Sequence, residues 1–277
     1  MNSLGKIFVG LLGLVGTLAP AAAADAPGAK ALKPVTWGMD RPAAAAGEQK
    51  VAFAAGAAKA LPRQPIPGQL DIVIDVLVAY TGKAAEHYND IKREVIEPAI
   101  EQANHSFRIS GIGHVQLRLV HAFQTAYEER SGGHFEHVWR LADKGDVHMA
   151  RIHAVREQYR ADVAILMVDD ASGCGLATRV GADADEAFAV VHHECAAKNY
   201  TLPHEIGHLI GARHDFAYVS GTSWRDIMST KDACGGCPRM PVWSNPLVLI
   251  GGQPAGTTDL NNARIIAENA WRVAAFR

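Results

Sequence analysis

Twelve consecutive residues, His204-Glu205-Ile206-Gly207-His208-Leu209-Ile210-Gly211-Ala212-Arg213-His214-Asp215, carry the densest chemistry in the chain. On a helix, His204 and His208 stand one turn apart and present their imidazoles on the same face. Glu205 lies beside His204, within reach of a water that a metal would hold there. Gly211 is the residue type that most easily takes the positive φ needed to end a helix abruptly. The chain can then swing back and offer His214 as a third nitrogen from outside the helix. Three neutral imidazoles with one open position make a catalytic zinc site, because a structural site would be closed by a fourth protein ligand. In that chemistry Glu205 is the general base, taking a proton from the attacking water and returning it to the leaving group. One bound Zn²⁺ would acidify that water and stabilise the developing oxyanion. The plainer reading is an amphipathic helix with surface histidines. It accounts for His-Glu-x-x-His, but not for Gly211 and His214 at their spacing as well.

The elements that must position these residues can be read from periodicity. Asp71 to Tyr80 is a β-branched run suited to a buried strand, and Thr81-Gly82 reads as its break. Residues 84–109 place Ile91, Val95, Ala99, Ile100, Ala103 and Phe107 at helical spacing, which predicts one long helix with Pro98 as a kink. His114 to Val120 alternates, so it reads as a second strand. Phe135 to Tyr159 reads as helical with an interruption near Gly145, and Asp162 to Val168 as a third, buried strand. The β-α-β-α-β order predicts an α/β (α+β) domain built on a twisted mixed sheet with packed helices. Beyond it, Gly181 to Asp185 is a turn and Ala187 to His192 an edge strand. Residues 231–258, rich in Pro, Gly and Asn, should be mostly loop. Ile266, Ala270 and Val273 mark a C-terminal helix.

The zinc segment matches H-E-x-x-H-x-x-G-x-x-H at every defined position, and so resembles the metzincins. The resemblance implies a sheet followed by the zinc-binding helix, a Met-turn beneath the metal at Asp226-Ile227-Met228-Ser229, and a closing helix. It also implies an edge strand that pairs with extended polypeptide substrates. His214 followed by Asp215 resembles the reprolysin branch, where the Asp braces the Met-turn region. Taken together, residues 70–277 look most like the bacterial peptidyl-Asp metalloendopeptidases. That likeness rests on Cys174-Gly175-Leu176-Ala177, the zinc segment, Cys234-Gly235-Gly236-Cys237-Pro238-Arg239, Trp243-Ser244-Asn245-Pro246 and Asn261-Asn262-Ala263-Arg264. It implies cleavage before Asp and Glu, which requires a cation in the substrate pocket, preferably an Arg for bidentate recognition. Arg225, Lys231, Arg239 and, farther away, Arg179 are the candidates.

The remaining features frame this reading. With 277 residues and 48% hydrophobic composition there is ample material for a core, and a net charge of −2 gives no argument for nucleic acid. Residues 1–24 read as a signal peptide, with Lys6 before an apolar run and Ala22-Ala23-Ala24 at the cleavage site. That implies export, with no stable membrane anchor. Residues 25–67 read as a propeptide or linker, leaving 68–277 as the catalytic domain of a monomer. In the pro-segment Lys30, Lys33, Arg41, Lys50, Lys59 and Arg63 outnumber Asp25, Asp40 and Glu48, so it could dock on a more acidic enzyme. It has no cysteine, and latency would have to use another group. The chain has four cysteines, Cys174, Cys195, Cys234 and Cys237, and in an exported chain they default to disulfides, with three connectivities open. Asp183, Asp185 and Glu186 make calcium a further candidate, against the simpler reading of a solvated acidic turn. His192 and His193 are candidate extra ligands, but, lying outside the motif, they read as surface or hydrogen-bonded residues. Three alternatives remain: a metzincin preferring apolar residues after the cut, a zinc-containing binding module without catalysis, and a thiol-disulfide protein using Cys234 and Cys237.

Overall fold

The computed structural model describes residues 71–129 and 132–277. The signal-peptide and propeptide segments lie outside the described residues. Within them, β1 (Ile72–Tyr80) forms the spine of a five-stranded sheet. Its partners are β2 (Val115–Gln124), β3 (Val163–Val168), β4 (Gly175–Ala177) and β5 (Phe188–His192), in the spatial order β2-β1-β3-β5-β4. All neighbours are parallel except β4, which runs antiparallel to β5. A mostly parallel sheet is covered on both faces, so its strands read as nearly unbroken apolar runs. Alternate residues of β1 divide accordingly. Ile74, Val76 and Val78 enter the core that also holds residues of α2 (Glu97–Ile109), α6 (Thr201–Ile210) and α7 (Asn262–Val273). Leu77 and Ala79 enter a second core with residues of α3 (Gly133–Ala142) and α4 (Ala150–Gln158).

The fold is the mixed α/β arrangement that the element order predicts, with four local differences. The helix expected over 84–109 is broken. Thr81 begins a short helix instead of simply ending the strand, its hydroxyl accepting the Ala84 N–H ahead of α1 (Gly82–Glu86). A π turn (Lys92–Ile96) then precedes α2, with the Glu97 N–H bonded five residues back to Lys92 O. Pro98 sits in the first turn of α2, where its missing N–H does little harm. The second difference concerns the sheet edge. β5 is an interior strand buried at every residue, as Phe188-Ala-Val-Val-His192 with hardly a polar position should be; the edge belongs to β4. Third, β2 continues four residues past Val120 to Gln124. Fourth, the stretch expected as loop contains a hairpin, β8 (Asn245–Ile250) with β9 (Gln253–Ala255). No helix among the described residues is long and apolar enough to cross a membrane.

Candidate active site

Helix α6 is buried along its whole length, so its histidines face protein on every side but one. Tyr200, in the left-handed region at φ 54°, turns the chain into it. Gly211, at φ 131°, turns it out again, with its N–H closing on Gly207 O. That exit delivers His214 on a single 3-10 turn (His214–Phe216).

Hydrogen bonds set the tautomers of the two helical imidazoles. His204 Nδ1 donates to Ile227 O at 2.7 Å, and His208 Nδ1 donates to Ala212 O at 2.9 Å. Their Nε2 atoms are therefore lone-pair acceptors. His208 Nε2 lies 3.1 Å from His214 Nε2, which lies 3.2 Å from His204 Nε2. Burial, reinforced by His214, pushes His208 down to about 3. Burial first, then His208, Arg239 and His214, holds His204 well below 6.5. Two neutral imidazoles thus aim Nε2 lone pairs at the same point that His214 Nε2 reaches, an arrangement that a shared cation would hold together. Tetrahedral zinc with Zn–N bonds of about 2.0–2.1 Å places nitrogens roughly 3.3 Å apart, so the donor set fits that ion.

Glu205 is 5% exposed and lines the same cleft as the three histidines, together with Gly175, Leu176 and Ala177 of β4 and Arg179. The strand passes very close to the carboxylate. A Cβ added at Gly175 would stand 2.6 Å from Glu205 Oε1, so only glycine fits there. The disulfide Cys174–Cys195 (Cα–Cα 5.5 Å) ties the start of this strand to α5 (His193–Ala196), just ahead of α6. Cys234 and Cys237 form the second disulfide, leaving no free thiol among the described residues.

Beneath the histidines lies the turn around Met228, which is fully buried. Gly207 allows the helix to approach it: a Cβ there would meet Met228 Sδ at 3.4 Å and Trp243 Cη2 at 2.5 Å. Trp243 is pinned by its indole N–H to Ser106 Oγ at 2.9 Å and stacks on Phe107. The bracing carboxylate is not Asp215, which turns outward, 60% exposed, to pair with Arg213 at 2.9 Å. Asp226 does that work. Its oxygens accept from Tyr218 N, Ser244 N, Ser229 N and Ser229 Oγ at 2.8–3.2 Å. Burial pushes its carboxyl up to about 6 against the pull of these donors. The signal available in the sequence was only its place at the head of the stretch Asp226-Ile227-Met228-Ser229.

The four candidate cations separate. Arg179 lines the cleft, half exposed and paired with Glu186 at 2.8 Å. Arg239 donates to Asn199 O at 2.8 Å and Ser229 O at 3.0 Å, and its charge is felt at His204. Arg225 is buried and serves the turn, donating to Cys237 O and Ser229 O. Lys231 is exposed on a 3-10 turn (Lys231–Cys234). The acidic turn does not converge on a cation: Asp185 pairs with Lys144, Glu186 with Arg179, and Asp183 reaches Arg272 at 3.8 Å. His192 and His193 are buried, not surface residues, and both are hydrogen-bonded.

The model of the Reprolysin_5 group, metallopeptidase family M12, matches residues 71–243. The chain belongs to family M12. Two curated relatives, the peptidyl-Asp metalloendopeptidases of Stenotrophomonas maltophilia (strain R551-3) and Xanthomonas campestris pv. campestris, are 35% and 36% identical to it over 222 and 219 residues. Each alignment covers 74% of this chain and 52% of the relative, so the chain spans about half the length of these relatives. One solved chain, from the structure of a chaperone-substrate complex, shares the fold with a TM-score of 0.61 at 17% identity. That match covers 75% of this chain and 35% of that one.

Proposed function

We propose that this M12 chain is a secreted zinc-dependent endopeptidase that hydrolyses polypeptides on the N-terminal side of Asp, and also of Glu. The observation that carries the reading is the convergence of the Nε2 atoms of His204, His208 and His214 in one cleft with the buried carboxylate of Glu205. His204, His208 and His214 would hold the ion. Bound there, zinc supplies an acidified water and positive charge for the oxyanion. Glu205 takes the proton from the attacking water and carries it to the leaving amine. Its burial beneath β4 keeps bulk water away from that transfer. The edge strand β4 offers its backbone to an extended substrate, which aligns a peptide without reading most of its side chains.

An acidic side chain after the cut needs a fixed cation. Arg239 supports that role best, since two carbonyls orient its guanidinium near His204. Arg179 is second, because an incoming carboxylate would have to compete with Glu186. Export is supported by the apolar N-terminal segment and two disulfides. The basic segment 25–67 would act as the chain's own propeptide.

Digestion of a mixed protein substrate, with and without a zinc chelator and with every cut mapped, tests the reading. It predicts chelator-sensitive cuts before Asp and Glu, which Arg239→Ala shifts away from acidic residues. Chelator-sensitive cuts before apolar residues would remove the acidic pocket. An absence of cuts from zinc-loaded mature protein would remove the peptidase.

A further inference from the structure

A second group of ligand atoms lies outside the active site. His87, at the end of α1, Asp169, directly after β3, and His193, the first residue of α5, come from segments far apart in sequence. His87 Nε2 is 3.2 Å from Asp169 Oδ2, and His193 Nε2 is 3.1 Å from Asp169 Oδ1. The three ligand atoms all lie within 4.8 Å of one another. The two rings stack with centroids 4.5 Å apart, so both send Nε2 toward the same carboxylate.

The surroundings are those of a built site. The other nitrogen of His193, Nδ1, meets the Tyr88 hydroxyl at 2.8 Å, the kind of outer partner that orients a ligating imidazole. The Asp169 N–H is held by Glu129 at 2.9 Å. His193 is buried, while the His87 side chain is 50% exposed and Asp169 33%. That leaves an entry path and gives the His87 ring freedom to close on an ion.

We propose that His87, Asp169 and His193 form a second divalent-metal site, of the two-imidazole, one-carboxylate class that takes zinc and neighbouring transition metals. Its consequence is mechanical. The ion would join the end of α1 and the exit of β3 to α5, which the Cys174–Cys195 disulfide already links to β4. Occupancy would stiffen the platform from which α6 departs.

Metal content of the folded mature chain, dialysed against low-micromolar Zn²⁺ and measured by mass spectrometry, is the test. Wild type should hold two equivalents, His87→Ala one, His208→Ala one, and the double variant none. The melting temperature of the His208→Ala chain should still rise with added Zn²⁺, and that rise should vanish in the double variant. A His87→Ala content equal to wild type, whatever that content is, overturns the site. Should His87→Ala fail to fold, Asp169→Asn carries the same comparison. The count is independent of peptidase activity, so failure here and failure of the functional reading are separate results.

Discussion

The chain gathers three ligand atoms twice, by opposite means. His204, His208 and His214 come from one short segment, two of their outer nitrogens are fixed by backbone carbonyls, and the helix that presents two of them is wholly buried. His87, Asp169 and His193 come from three segments, two of them are partly exposed, and they lean on side chains such as Tyr88. Charge differs too. Three neutral imidazoles leave a divalent ion its full charge for acidifying water, whereas a carboxylate ligand cancels part of it. The first arrangement is suited to chemistry and the second to bracing.

Substitutions can break or sharpen that contrast. His208→Ala should empty the first site and lower turnover by about a thousandfold or more, since metal-borne charge stabilisation amounts to several kcal/mol; His87→Ala should leave turnover within a factor of about two. Turnover and metal content measured on the same samples check both. Next in size is Asp226→Ala, which orphans donors from Tyr218, Ser229 and Ser244. It should cost about 3 kcal/mol in urea unfolding and weaken metal retention at His204, not at His87. Gly207→Ala should cost about 2 kcal/mol by overpacking against Trp243, even though alanine is the better helix former. A gain in stability there would show that the indole can move aside. Smallest is Asp215→Asn, expected to stay within about 0.5 kcal/mol because the carboxylate faces solvent.

What was legible in the sequence follows the same division. His204, His208, His214, Glu205 and Gly211 sit within one helix and its exit, where local geometry fixes their relation, so their convergence was legible from spacing. Strands β1 and β3 were legible because burial on both faces demands unbroken apolar runs. The edge was misplaced because β5 and an edge strand differ in what flanks them in space, and β4 has only three residues to announce itself. The break after α1 lies in the non-helical residues 87–90, and the π turn then runs straight into α2; helical spacing reveals neither. Asp226 escaped notice because its role comes from four donors on three segments, while Asp215 was chosen by adjacency to His214. The His87 cluster is illegible in sequence for the same reason: nothing local relates residues 87, 169 and 193.

The most direct test of the central claim is the Glu205→Gln chain compared with wild type for metal content, fold and turnover on one peptide containing a single Asp. The account predicts unchanged metal content and circular dichroism, with turnover down by about a hundredfold to ten-thousandfold, the usual scale of a lost general base. Turnover close to wild type in a metal-loaded, folded Glu205→Gln chain would contradict it.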